Sequence, residues 1–109
     1  MLTMQYSLLY RAVDTGEVEV AAAYSTDSRI AKLGLTTLED DKGFFPDYSG
    51  AYVISDEVQE KYPEVLSALN ELAGAIPTET MSALNSRYDD GEDPEMIARD
   101  FLTENGFLE

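Results

Sequence analysis

The sequence contains no cysteine, no histidine and no tryptophan. Without cysteine there is no disulfide and no thiolate metal site, and nothing in the composition reports a redox compartment. Without histidine, both the commonest general base and the commonest metal ligand are missing. Basic residues are scarce: seven Lys and Arg stand against 22 Asp and Glu, a formal net charge of −15. Such a surface repels nucleic acid and anionic membranes, and it suits a cationic ligand, a salty milieu or plain solubility. No apolar run approaches the roughly 20 residues of a membrane span. The N-terminus shows neither the basic region nor the apolar stretch of a signal peptide, so the signal of a secreted parent is expected upstream of Met1.

What is present is a chain of 109 residues, 44% of them hydrophobic, enough for one small domain with a modest core. Leu8, Leu9, Ala12 and Val13 share one face of a predicted helix over 7–13, and Gly16 stands where a C-terminal cap belongs. Residues 18–23 are apolar but for Glu19 and read as a buried parallel strand. Ser25, Thr26 and Asp27 offer N-caps for a brief helix through Lys32. Residues 35–39 and 50–54 read as further strands, with a turn at Asp40-Asp41-Lys42-Gly43 between them. Phe44-Phe45-Pro46 is apolar enough to be expected to pack. Pro63 opens a helix with Val65, Leu66, Leu69 and Leu72 on one stripe and Gly74 as its stop. Thr78 caps a helix holding Met81 and Leu84. Asp93-Pro94 starts a last helix, with Ile97, Ala98, Phe101 and Leu102, that stops near Gly106.

Strands separated by helices imply an α/β layer with parallel pairing. Three short strands make a poor sheet alone, and the last helices have few partners in the chain. The segment is therefore expected to be part of something larger, or to form a homodimer.

A catalytic role finds little support. No base capable of activating a hydroxyl is evident, and the few lysines lie in polar surroundings. The acidic pairs Asp40-Asp41 and Asp89-Asp90 sit in polar turn sequences, where surface charge is the simpler reading. Asp89-Asp90-Gly91-Glu92-Asp93 lacks the alternating ligands and distal glutamate of a calcium loop. The glycines form no phosphate cradle. Neither metal nor cofactor is expected, and the chain reads as non-enzymatic.

The seven tyrosines are the unusual feature. Tyr10, Tyr62 and Tyr88 fall at helical positions and read as packing residues with wet hydroxyls. Tyr6 and Tyr52 fit either role. Tyr24 ends a predicted strand, and Tyr48 immediately precedes another; strand ends are where open α/β sheets hold ligands. Tyrosine faces there could form a cage for a quaternary ammonium by cation–π contact, with ordinary packing as the alternative.

Three runs sharpen this reading: Leu8 to Ala12, Ala23-Tyr24-Ser25-Thr26-Asp27-Ser28-Arg29-Ile30, and Leu38-Glu39-Asp40-Asp41-Lys42-Gly43-Phe44-Phe45-Pro46-Asp47-Tyr48. Together with Tyr62-Pro63-Glu64, 69–74, 81–85 and 93–102, they resemble the C-terminal half of the substrate-binding proteins of osmoprotectant ABC importers. Those proteins capture glycine betaine, carnitine, choline or proline betaine. The resemblance implies the C-terminal part of a type 2 periplasmic-binding-protein fold, with ligand in a tyrosine cage between two lobes. It assigns 1–49 to the end of the second, ligand-binding lobe, and 50–109 to a crossover strand and the helices that return to the first lobe. By motif, Tyr24 and Tyr48 match cage positions and Thr26 lies beside the cleft; the remaining cage residues are expected upstream. Two departures stand out: Ser28 replaces the family's common Gly, and Asp47 replaces a second Pro before the cage tyrosine. The resemblance further implies an extracytoplasmic parent, lipid-anchored or permease-fused, that delivers its solute to an ABC permease. The competing reading is an acidic protein-interaction domain in which the tyrosines are structural.

Overall fold

The computed structural model describes residues 3–109. They form six helices: α1 (Tyr6–Asp14), α2 (Ser28–Lys32), α3 (Asp56–Lys61), α4 (Pro63–Glu71), α5 (Thr78–Asp89) and α6 (Pro94–Glu104). Their packing divides them into two units. One combines the chain up to Thr37 with everything from Thr78 on; the other is Leu38–Pro77.

The first unit holds α1, α2, α5 and α6, and its core is small: Tyr10 and Ala12 of α1, and Ile97 and Phe101 of α6. The expected apolar face of α1 is corrected in part, because Leu8 is exposed and Tyr10 is buried instead. The reason lies outside the helix: a guanidinium from α2 covers the Tyr10 ring. Gly16 takes φ 73°, and its amide and that of Glu17 return to the carbonyls of Val13 and Ala12, closing α1 with groups that would otherwise be orphaned. α2 packs against α5. Ser28 is buried there, and its hydroxyl donates to Asp89. Asn85 Nδ2 donates to the Thr26 carbonyl at 2.9 Å. α6 starts as expected: Pro94 needs no partner for a missing N–H, and Asp93 accepts from the amides of Glu95 (2.9 Å) and Met96 (3.3 Å).

The second unit holds α3 and α4, packed on each other. α3 is not among the helices expected from sequence; Ser55 caps it by accepting from the Val58 amide. Tyr62 ends α3 and begins α4 at φ −136°, ψ 63°. The cause is Pro63, whose ring disfavours helical geometry in the preceding residue and so separates the two helices. The Asp40–Gly43 turn forms, with Gly43 at φ 60° and its amide on the Asp40 carbonyl at 3.2 Å.

Three further expectations are corrected. Residues 18–23, 35–39 and 50–54 are in no strand among the described residues. A strand exists only where a neighbour presents matching N–H and C=O groups, and none of these runs finds one there. Phe44 and Phe45 are exposed as well, touching each other edge to face at 5.2 Å. Tyr62 and Tyr88 are likewise more exposed than packing residues would be.

Candidate ligand-binding site

Tyr24 opens a turn that the Asp27 amide closes on the Tyr24 carbonyl at 3.1 Å. Asp27 is also the N-cap of α2, accepting from the Arg29 amide at 3.0 Å. The same carboxylate takes both arms of the Arg29 side chain, Nε at 2.9 Å and Nη2 at 2.7 Å. This fork matches the carboxylate edge and fixes both partners.

The clamped guanidinium lies over the Tyr10 ring, 4.2 Å from its centroid, and 5.2 Å from that of Tyr6. The Tyr6 hydroxyl donates to Asp27 Oδ2 at 3.1 Å and pairs with the Tyr10 hydroxyl at 2.7 Å. Tyr6 and Tyr10 meet edge to face at 5.7 Å, and Tyr6 lies 6.0 Å from Tyr24 at a tilt of 58°. Burial, the hydrogen bond that Tyr10 donates to Tyr6 and the neighbouring Asp27 carboxylate push the Tyr10 hydroxyl far above the usual tyrosine range. Hydrogen bonds from Arg29 outweigh burial and hold Asp27 well below the usual carboxylate range. The same bonds raise Arg29 further. The ion pair therefore stays charged, and Tyr10 stays protonated, through the physiological range.

Of the sequence candidates, Tyr24 and Thr26 share this turn. Tyr24 is 58% exposed, and the Thr26 carbonyl is engaged by Asn85. Tyr48 belongs to the other unit and is 69% exposed. Just before it, Asp47 accepts from the Ser49 amide (2.8 Å) and hydroxyl (2.6 Å), which holds its carboxylate below the ordinary range. Tyr6 fits either role from sequence and Asp27 is expected there only as a helix cap, while nothing in the sequence marks Arg29 as their partner. The available signal was the four-residue spacing of Tyr6 and Tyr10, which stacks them on one face of a helix.

An open cavity of about 490 Å³ adjoins this cluster, lined by Asp27, Ser28, Arg29 and Lys32 on one side and by Asn85, Tyr88 and Asp89 of α5 on the other; Tyr24 is not in its lining. No group of three or more carboxylates able to hold a metal occurs among the described residues. The arrangement thus offers aromatic surface and fixed charge.

Residues 2–104 match the family described as the substrate-binding domain of ABC-type glycine betaine transport systems. The chain belongs to that family. It is similar to a carnitine transport binding protein, OpuCC, of Listeria monocytogenes: 40% identical over 107 residues, covering 97% of this chain and 35% of that protein. A glycine-betaine-binding protein of Pseudomonas aeruginosa is 35% identical over 97% of this chain and 34% of its own length. An ergothioneine transport permease/ergothioneine binding protein, EgtU, of Helicobacter pylori is 38% identical over 94% of this chain and 19% of its own. Among solved structures, a glycine betaine/carnitine/choline ABC transporter protein matches 99% of this chain and 40% of its own, at 38% identity and a TM-score of 0.87. The fold is therefore part of a type 2 periplasmic-binding-protein fold, and the chain spans about a third of the length of the binding proteins it matches. The family is one of solute binding in transport, not of catalysis.

Proposed function

We propose that the protein to which these residues belong captures a quaternary-ammonium osmoprotectant outside the cytoplasmic membrane and hands it to an ABC permease. Tyr24 and Tyr48 are two walls of its cation–π cage, with Thr26 beside them. The observation that carries this reading is the family match over 2–104. The ligands named for the relatives agree with it chemically: glycine betaine, carnitine and ergothioneine each carry a trimethylammonium group that cannot donate a hydrogen bond and is best held by aromatic faces. A net charge of −15 draws cations toward the surface. Residues 1–49 end the ligand-binding lobe, and 50–109 form the crossover and return helices. This division by lobe is drawn from the resemblance and is separate from the two packing units. Attachment is by a lipid anchor or by fusion to the permease, the arrangement that the Helicobacter relative's name describes. Isolated, the 109 residues bind weakly or not at all, which micromolar binding in calorimetry would overturn, and they pair as homodimers through their exposed apolar residues; light scattering tests the mass, and a monomer overturns the pairing.

Titration calorimetry of the natural full-length polypeptide with glycine betaine, carnitine and choline tests the main reading. Tyr24→Ala and Tyr48→Ala are each expected to weaken binding by about 2- to 30-fold, the range of one cation–π contact. Unchanged affinity in both variants, with the fold intact, overturns the cage and favours an acidic interaction domain with structural tyrosines.

A further inference from the structure

Tyr6 is not itself a proposed ligand contact, yet its ring lies against that of Tyr24, with centroids 6.0 Å apart. The hydroxyl of Tyr6 donates to Asp27 Oδ2. With that proton committed, the 2.7 Å contact between the two tyrosine hydroxyls must run from Tyr10 as donor to Tyr6 as acceptor. Tyr10, 2% exposed and strongly disfavoured from ionising, is suited to remain that donor. The Tyr6 ring is thereby held from three sides: by its hydroxyl on Asp27, by the edge-to-face contact with Tyr10, and by the Arg29 guanidinium 5.2 Å from its centroid. Arg29 is in turn pinned by the Asp27 fork.

A ring already occupied by a resident guanidinium is a poor seat for a second cation, because like charges brought that close repel. Tyr24, with more than half of its surface exposed, rests on the ring that this network immobilises. Holding Tyr24 in place before ligand arrives removes part of the ordering entropy that binding would otherwise have to overcome.

We infer that Tyr6 is a positioning residue for Tyr24: its ring, fixed through Asp27, Arg29 and Tyr10, sets the orientation of Tyr24 and acts on quaternary-ammonium affinity only through it. The inference rests on the reading of Tyr24 as a ligand contact, and its test separates the two.

The test is a double-mutant cycle on the natural full-length polypeptide, with glycine betaine and choline as calorimetric probes. Tyr6→Leu is expected to weaken binding by about 2- to 10-fold, the effect of one ring losing its preorganisation. Tyr6→Phe keeps the ring and its contacts with Tyr10 and Arg29 but loses the hydroxyl on Asp27, so it is expected to recover part of that loss; no recovery at all would overturn the role of the ring. In a Tyr24→Ala background, Tyr6→Leu should cause no further loss. An equal loss in both backgrounds, or none in the native background, overturns the positioning role while leaving Tyr24 as a contact. Native affinity in Tyr24→Ala alone overturns the ligand reading itself, and this inference with it. Tyr6→Met, similar in length and compatible with a helix, repeats the cycle if circular dichroism shows that the leucine variant does not fold.

Discussion

The guanidinium of Arg29 lies over the ring of Tyr10, 4.2 Å from its centroid, while Asp27 grips its edge with two hydrogen bonds. The most buried side chain of α1 is thus roofed by a charged residue from α2, and the charge is neutralised within the same turn. This arrangement joins the start of the chain to the turn that carries Tyr24.

Removing the roof should destabilise the first unit. Arg29→Ala is expected to lower unfolding free energy by about 1–3 kcal/mol, from lost cation–π contact and the loss of charged hydrogen bonds to a mostly buried carboxylate. Arg29→Lys should recover only part of this, since an ammonium cannot reproduce the fork. Urea unfolding monitored by circular dichroism measures both; equal stability of the lysine variant and the native protein would refute the role of the fork.

Stability should fall at both extremes of pH. Asp27 has a depressed folded-state pKa, so its contribution is complete above the unfolded value of about 4 and is lost as pH drops below it. Tyr10 has a raised one, so its contribution is complete below the unfolded value of about 10 and declines as pH climbs past it. Melting curves across pH should show that Asp27→Asn flattens the acid limb and Tyr10→Phe the alkaline limb. Limbs that persist unaltered in these variants would place their origin elsewhere.

The cap of α6 offers a local check. Asp93→Ala strips the acceptor from the amides of Glu95 and Met96 and is expected to cost about 1 kcal/mol, with Asp93→Asn close to native. Since Ile97 and Phe101 of that helix are core residues, the loss should appear as a lower melting midpoint of the unit and not only as fraying.

Local chemistry alone determined much of this protein. Asp27 and Asp93 announce helix starts because a short carboxylate can reach the amides of the first turn. Pro63 separates two helices because of its ring, and Gly16, Gly74 and Gly106 end helices because they tolerate positive φ. The family, too, was legible, because the runs around Tyr24 and Tyr48 occur within one short chain in a specific combination.

Tertiary structure decided what depends on partners distant in sequence. Periodicity assigned Leu8 to the core, yet it is exposed; Tyr10 packs as its helical position implies, but beneath Arg29 from a later turn and with its hydroxyl on Tyr6 instead of in water. The segments 18–23, 35–39 and 50–54 have strand composition, yet pairing is a property of two segments and cannot be read from one. The clamp behind Tyr24 was hidden for the same reason. Tyr6 and Asp27 are 21 residues apart, and only folding brings a hydroxyl onto a carboxylate whose charge makes the contact worth forming.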